Sequence, residues 1–245
     1  MSRKALGHHF FVIDNQMILH FDSEVYRKFY PIIDFDTLEI IASNGSTFHY
    51  FKDRHHVYVE SYMNRFAILP EANPSDFQIL DFEKGRTNSG ANDYLFERRL
   101  PYRFVAYEPL AELYQKVGTQ IFFDYSNELL GVDANTFAVL YPEEVKNVAK
   151  DKNHVYFRNQ VVEDADAASF HFLSACFNSE YYREQDHTYY AKDKNQAYYV
   201  DTVRKSFKVI RTHNLTNFHF KVVDGLGYAL DGQYQYLFGK RKKRL

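Results

Sequence analysis

Short apolar runs separated by polar turn residues recur along the whole chain. The first run, residues 10–13, is followed by the turn pair Asp14-Asn15 and by a second apolar run from Met17. Two such runs around a tight turn predict a β-hairpin. Another turn pair, Asn44-Gly45, leads into the next aromatic segment. The pattern therefore predicts a series of short antiparallel strands.

One block of sequence appears three times with a basic residue, an aspartate, a polar turn and the start of an aromatic strand. The copies are Lys52-Asp53-Arg54-His55-His56-Val57-Tyr58, Lys150-Asp151-Lys152-Asn153-His154-Val155-Tyr156 and Lys192-Asp193-Lys194-Asn195-Gln196-Ala197-Tyr198. A worn fourth copy retains Asp231 and Tyr236. Aspartate and asparagine suit the turn because their side chains accept hydrogen bonds from nearby backbone N–H groups. Tyrosine and valine suit the strand that follows.

A second block accompanies the first and reads Ala165-Asp166-Ala167-Ala168-Ser169-Phe170, with echoes that begin at Ile33, Ala72 and Val132. The echoes end on an apolar anchor, with spacings of 39 residues (38 to 77) and 33 residues (137 to 170). Periods of this size indicate stacked units, each of which covers an apolar face of its neighbour. We expect Asp166 to cap the N–H groups of the turn after it, and Phe170 to lie in the core.

These patterns predict a mainly β fold made of tandem short antiparallel hairpins with helical turns, stacked in a curved, elongated array. A propeller-like ring is the alternative, because the same spacing allows small blades. Residues 1–81 and 116–238 form the N-terminal and C-terminal repeat units, and residues 239–245 form a basic tail. Residues 82–115 are interpreted as a degenerate unit or an insertion, with a short helix starting near Pro109. The expected repeat anchors are Asp53, Tyr58, Phe77, Phe137, Asp151, Tyr156, Phe170, Asp193, Tyr198, Phe207, Asp231 and Tyr236.

Composition narrows the possible function classes. The chain has 21 Tyr, 23 Phe and no Trp, which favours pleated, half-buried surfaces. A net charge of -2 gives no global attraction to nucleic acid or to an anionic membrane. No apolar run is long enough to span a bilayer and the N-terminus does not resemble a secretory signal, so we expect a cytoplasmic protein. The single cysteine, Cys176, excludes an internal disulfide, and its apolar context predicts a buried, inert thiol.

Motifs for metal binding and catalysis are weak. Each Asp-x-Asn turn offers two oxygen ligands beside lysines, whereas calcium takes about six to eight, so structural turns are favoured over calcium sites. The pairs His8-His9 and His55-His56 occur without a zinc-binding motif or a cysteine cluster. No nucleophile elbow, P-loop or dinucleotide-binding glycine motif occurs. We therefore expect a protein that is not an enzyme and that needs no metal or cofactor.

The sharpest charge feature is the run Lys240, Arg241, Lys242, Lys243 and Arg244. It is interpreted either as a solvated terminus or as a contact for phosphate or an acidic partner. The favoured hypothesis is a non-catalytic protein-binding module, in its narrower form an inhibitor or immunity protein that masks a toxin. The alternatives are a glycan-binding or cell-envelope-binding repeat protein, and nucleic-acid contact through the tail.

The string Tyr190-Ala191-Lys192-Asp193-Lys194-Asn195, followed by Tyr198-Tyr199, resembles the motif that names the bacterial DKNYY repeat family. The blocks at 132–137 and 165–170 are similar to the companion segment of that family. The firm resemblance covers roughly residues 148–210, with weaker similarity at 50–80 and 116–140. The family has no assigned activity, so the resemblance implies a bacterial, tandem β-rich repeat and transfers no site residues.

Overall fold

The computed structural model describes residues 2–20, 23–62, 65–140, 147–173, 188–223 and 226–244. Strands account for 46% of the chain and helices for 4%, which confirms the prediction of a mainly β protein. Short 3-10 helices lie at Ser23–Phe29 and Phe104–Ala106. Within these ranges, no helix is long and apolar enough to cross a membrane.

The strands of the described residues form seven small antiparallel sheets, each a meander of consecutive strands. Sheet 1 contains β1 (Arg3–Gly7), β2 (Phe10–Ile13) and β3 (Met17–Leu19). Sheet 2 contains β4 (Glu39–Ser43), β5 (His49–Lys52), β6 (Val57–Glu60) and β7 (Ala67–Ile68). Sheet 3 contains β8 (Gln78–Asp81), β9 (Arg86–Ser89), β10 (Asn92–Leu95) and β11 (Arg98–Arg99). These three sheets lie in an N-terminal unit, Met1–Ala106.

A C-terminal unit, Tyr107–Leu245, contains the other four sheets. Sheet 4 contains β12 (Tyr107–Pro109), β13 (Tyr114–Val117), β14 (Gln120–Phe123) and β15 (Asn127–Glu128). Sheet 5 contains β16 (Ala138–Val139), β17 (Val148–Lys150), β18 (Val155–Phe157) and β19 (Gln160–Val161). Sheet 6 contains β20 (His171–Phe172), β21 (Thr188–Lys192), β22 (Ala197–Asp201) and β23 (Ser206–Ile210). Sheet 7 contains β24 (His219–Val223), β25 (Leu226–Leu230), β26 (Tyr234–Leu237) and β27 (Lys240–Arg244).

The region interpreted as a degenerate unit or insertion, residues 82–115, contains regular strands. It holds three of the four strands of sheet 3 and the first strand of sheet 4. The short helix expected near Pro109 does not form: Pro109 ends strand β12 and pairs with Gln115 of β13. Strand β12 is the edge of its sheet, where the missing N–H of a proline is tolerated. The buried ring of Tyr114 on β13 packs in an apolar cluster with residues of sheet 5, so tertiary packing outweighs the local helical pattern.

Within each unit, successive sheets pack face to face because neighbouring side chains on a strand point to opposite faces. On β6, Tyr58 packs with Phe10 of sheet 1, whereas Val59 packs with Tyr94 of sheet 3. On β22, Tyr198 belongs to the cluster shared with sheet 5. Its neighbour Tyr199 belongs to the cluster shared with sheet 7. The two tyrosines at the end of the motif therefore serve two different sheet contacts.

Candidate functional site

The carboxylate of Asp193 is the centre of the best-preserved turn and is only 3% exposed. Its Oδ1 accepts hydrogen bonds from the backbone N–H groups of Asn195 and Gln196, both at 2.7 Å. Its Oδ2 accepts one from the Tyr198 hydroxyl at 2.6 Å and one from the backbone N–H of Asp166 at 2.8 Å. One side chain thus closes its own turn, holds the next strand and fixes the companion segment.

The same arrangement recurs at Asp53, Asp151 and Asp231. In each, Oδ1 accepts from the N–H groups two and three residues later at 2.7–3.0 Å. In each, Oδ2 accepts from the tyrosine hydroxyl five residues later at 2.6–2.9 Å and from an N–H of the companion segment at 2.8–2.9 Å. Burial opposes the charged form of these three carboxylates, but the hydrogen bonds outweigh it and lower the pKa of each.

The lysines around the aspartate connect the turn to its surroundings. Lys194, directly after Asp193, forms an ion pair of 2.7 Å with Asp166 of the companion segment. Lys152 pairs with Asp133 at 2.6 Å in the same way. The lysine before the aspartate reaches the next sheet: Lys192 Nζ donates to the carbonyl oxygen of Phe218 at 3.0 Å. The side chains of the motif are therefore used to build and connect the sheets.

The turns are not organised as calcium sites. Each carboxylate oxygen accepts hydrogen bonds from N–H or O–H donors, so it is already engaged. A lysine ammonium lies within 2.7 Å of the companion aspartate at two of the turns, which disfavours a second cation. Among the described residues, no group of three or more His, Cys, Asp or Glu side chains is placed to hold a metal ion.

The predicted apolar anchors lie between sheets, though to different depths. Phe170 is buried, and its ring centroid lies 5.5 Å from that of Tyr198. Phe77, Phe137 and Phe207 are half-buried and pack against the clusters of their own contacts. Asp166 caps its turn as predicted, because its Oδ1 accepts from the Ser169 N–H at 2.9 Å. Cys176 lies outside the described residues.

Sequence reasoning missed two members of the network. The Asp231 carboxylate accepts hydrogen bonds from the His213 N–H and the Thr212 hydroxyl, which begin a companion segment ending at the buried Phe218. The available signal was Asn214, which precedes Phe218 by four residues, as Asp166 precedes Phe170.

In sheet 3 a serine replaces the aspartate. The N–H of Asn73, in the companion segment, donates to Ser89 Oγ at 2.8 Å. The hairpin there has only two loop residues, Gly90 and Ala91, so no four-residue Asp turn can form. A change of both residue type and loop length removed the pattern that would have identified this member.

The basic run at the C-terminus is an ordered strand, β27. It pairs with β26 and is the outer strand of sheet 7. The exposed Arg241 places its guanidinium 4.1 Å from the centre of the Tyr234 ring and donates to the carbonyl oxygen of Arg211 at 3.3 Å. Lys242 sits at a β-bulge, between Arg241, which pairs with Tyr236, and Lys243, which pairs with Gln235. The five basic residues thus have distinct positions on one strand.

A cleft of about 850 Å³ lies between sheets 6 and 7 and brings distant charges together. Its basic side chains come from three places: the turn after β22, strand β23 and strand β27, and they are Arg204, Lys208, Lys240 and Lys242. Asp201, Tyr199 and Ser206 also line it.

Comparison with known proteins identifies a family. No curated protein matches the chain. The DKNYY family matches residues 114–243, which are 130 of the 245 residues and contain the strands of sheets 4–7 from β13 onward. The Asp-Lys-Asn turn and the double tyrosine that name this family are the groups that hold the sheets together here. The chain belongs to the DKNYY family, a family of unknown function.

Proposed function

We propose that this protein is a non-catalytic protein-binding module that contacts an acidic partner through strand β27. The observation that carries the proposal is the position of the basic run, on the outer strand of a four-stranded sheet. An exposed strand edge offers backbone N–H and C=O groups to an extended segment of another protein. The adjacent lysine and arginine side chains favour an acidic segment, because complementary charge speeds encounter and rejects wrong partners.

The burial and hydrogen bonding of the motif residues support a non-catalytic role. The carboxylates of Asp53, Asp151, Asp193 and Asp231 are buried and hydrogen-bonded on both oxygens. Their tyrosine partners keep the hydroxyl proton, since burial and the nearby carboxylate raise the pKa of Tyr58, Tyr156 and Tyr198. Groups engaged in this way hold a scaffold and leave recognition to the exposed side chains.

The narrower form of the proposal is an inhibitor or immunity protein that masks a toxin in the bacterial cytoplasm. It rests on the lack of recognised catalytic motifs in the sequence. A basic strand that covers an acidic surface of an enzyme would block access to that surface without any reaction.

The alternative of a glycan-binding repeat loses its main support. Sugar faces stack on exposed aromatic rings, but the motif tyrosines are buried, with Tyr58 and Tyr198 at 0% and Tyr156 and Tyr236 at 1% exposure. Nucleic-acid contact retains one supporting observation, the basic strand β27 itself, and is an outcome of the experiment below.

The test begins with affinity purification from the native host and identification of the bound species. The purified partner is then titrated with the wild type, with a Lys242→Glu/Arg244→Glu double variant, and with Lys221→Glu. The last reverses an exposed lysine on β24, the opposite edge of the same sheet.

We expect the β27 variant to weaken binding at least about tenfold, more at low salt than at high salt, and the control to change it less than about twofold. Equal affinity for wild type and the β27 variant would refute the proposal. Recovery of RNA or DNA without a protein partner would favour nucleic-acid binding instead, provided that the β27 variant no longer binds it.

A further inference from the structure

We propose that the cleft between sheets 6 and 7 is a binding site for a small phosphomonoester that also carries hydroxyl groups. This site is additional to the protein contact proposed for β27. It rests on the shape of the cleft, its charge, and two buried hydroxyl groups that have no hydrogen-bond partner among the described residues.

The register of sheet 6 places the polar groups of one wall on a single face. Tyr199 pairs with Lys208, and Asp201 pairs with Ser206. These residues alternate along β22 and β23 with residues of the opposite face, so all four side chains point towards sheet 7. The other wall is formed by the β26–β27 hairpin, with Phe238 at its turn and Lys240 and Lys242 on β27.

The charge of the cleft matches a phosphate. Four cationic side chains and one carboxylate line it, a formal balance of +3 (4 − 1). The carboxylate, Asp201, accepts a hydrogen bond from the Arg204 N–H at 2.8 Å, and the Arg204 Nε lies 3.8 Å from its other oxygen. A single carboxylate ligand would leave most of this charge unpaired, whereas a phosphate dianion offers oxygens to several lysine and arginine donors at once.

Two hydroxyl groups in the wall of the cleft are closed off from solvent and have no hydrogen-bond partner in the part of the chain that the structure describes. Tyr199 is 5% exposed, and neither its hydroxyl nor that of Ser206 has a hydrogen-bond partner among the described residues. Burial raises the pKa of Tyr199, and the Thr188 side chain lowers it in part. Tyr199 therefore remains a donor at neutral pH. A buried polar group without a partner is destabilising, which a bound phosphate oxygen would relieve.

The backbone at the β26–β27 turn holds Tyr199 in place. Gly239 adopts φ +71°, and a Cβ there would lie 2.8 Å from Cβ and Cγ of Tyr199. Only glycine allows the turn to approach the ring this closely. The Gly239 N–H also donates to the Tyr190 hydroxyl at 3.3 Å. The position of the Tyr199 hydroxyl is thus set by the hairpin that carries two of the lysines.

The rest of the lining indicates what is attached to the phosphate. Asp201 is an acceptor beside the cations, and a hydroxyl group of the ligand would satisfy it. Phe238, 38% exposed, and Val203 offer apolar contact to an organic ring. Sugar phosphates and nucleoside monophosphates share this chemistry, and they differ in whether a base adds contact with Phe238.

Isothermal titration calorimetry of the full chain distinguishes sugar phosphates from nucleoside monophosphates. The probes are inorganic phosphate, ribose 5-phosphate, adenosine 5′-monophosphate, a phosphoserine peptide, and ribose and adenosine as ligands without phosphate. The variants are Lys208→Ala, Tyr199→Phe, and the control Lys221→Ala, since Lys208 and Lys221 are both exposed lysines on edge strands of the same unit.

We expect ribose 5-phosphate to bind more tightly than inorganic phosphate, and ribose and adenosine not to bind. Lys208→Ala should weaken binding by about tenfold or more, the loss of one charge-assisted contact. Tyr199→Phe should weaken it several-fold without lowering the melting temperature of the free protein, and Lys221→Ala should leave it unchanged. Tighter binding of the nucleotide than of the sugar phosphate would assign the ligand to the nucleotide class.

Three results would overturn the proposal. One is no heat of binding for any phosphomonoester at millimolar concentration. Another is equal weakening by Lys208→Ala and Lys221→Ala, which would indicate unspecific charge attraction. The third is binding of a phosphoserine peptide with no binding of the small phosphomonoesters. Because Lys208 and Tyr199 lie outside β27, failure here leaves the proposed protein contact untouched.

Discussion

The contact between sheets 2 and 3 and the contact between sheets 6 and 7 use equivalent positions of the repeat in opposite ways. Five residues before the turn aspartate stands Phe48 in sheet 2 and Thr188 in sheet 6. The Phe48 ring stacks on Phe82 with centroids 4.7 Å apart and lies 5.4 Å from the ring of Phe96. That end of the first contact is therefore closed by aromatic rings.

At the second contact the same end is open and polar. Tyr199 stands where sheet 2 has Val59, and Lys208 stands where it has Ala67, by the pairing of the strands. The turn residue of the next hairpin is an aromatic at both contacts, but Phe96 packs into the apolar cluster while Phe238 is partly exposed. Changing the side chains at a few positions of one backbone plan has turned a packed contact into a cleft.

The largest expected difference between the two contacts is in core packing. Phe48→Ala should lower the free energy of unfolding by about 3–5 kcal/mol, because it removes a buried ring from a closed cluster. Thr188→Ala, at the equivalent position, should cost less than about 1 kcal/mol, since it faces the cleft. Urea denaturation of both variants measures this, and similar losses would show that the two ends are packed alike.

A second difference concerns the two adjacent tyrosines of the motif. Tyr198→Phe should cost about 1.5–3 kcal/mol, because it removes a hydrogen bond to the buried carboxylate of Asp193. Tyr199→Phe should change stability by less than about 0.5 kcal/mol, because its hydroxyl has no partner among the described residues. Thermal and urea unfolding of the pair test this, and a larger loss for Tyr199→Phe would contradict the assignment.

A smaller effect on the free energy of unfolding is expected at both contacts, and it depends on pH. The pKa values of Asp53 and Asp231 are lowered in the folded state, by hydrogen bonds that outweigh burial. The two aspartates contribute fully to the free energy of unfolding above the pKa of an unfolded aspartate, about 3.9. This contribution is lost as the pH falls through their lowered pKa values in the folded state. The protection factors of the His55 and Gln233 amides against hydrogen exchange should therefore fall over the same acid range. Loss of protection at only one of the two would show that the turns are not equivalent.

The smallest expected effect is electrostatic. Lys208→Ala should raise stability by a few tenths of a kcal/mol, because it relieves repulsion among the cations of the unliganded cleft. Ala67→Lys in sheet 2 is the converse change and should destabilise its closed contact clearly. Unfolding at low and high salt checks the first claim: the gain should shrink as salt screens the charges. A gain that does not depend on salt would point to packing instead.

The sequence was sufficient to predict the parts of the fold that are local. The hairpin over residues 10–18, the Asp turns and the cap by Asp166 each depend on a few adjacent residues, whose side-chain chemistry matches one backbone geometry. The tyrosine five residues after each aspartate also followed from spacing. Short-range hydrogen bonds and the pairing of adjacent strands specify these features.

What could not be predicted depends on residues far apart in the chain. That Tyr198 and Tyr199 face different sheets follows from strand alternation only once the order of the sheets is known. The cleft brings Tyr199 and Lys242 together, 43 residues apart in sequence. The basic run gave no sign of being a strand, because lysine and arginine have little preference for strands; its pairing with β26 decides its structure.

The wall of the cleft that carries Lys240 and Lys242 is a strand with a neighbour on only one side. Edge strands held by a single row of hydrogen bonds open more readily than the interior of a sheet. Whatever occupies the cleft must therefore also shift the equilibrium between the docked and frayed forms of this strand, by the linkage of binding to order. Occupancy would make β27 harder for a protease to reach, and a partner that binds its outer edge would meet a strand already held in extended form.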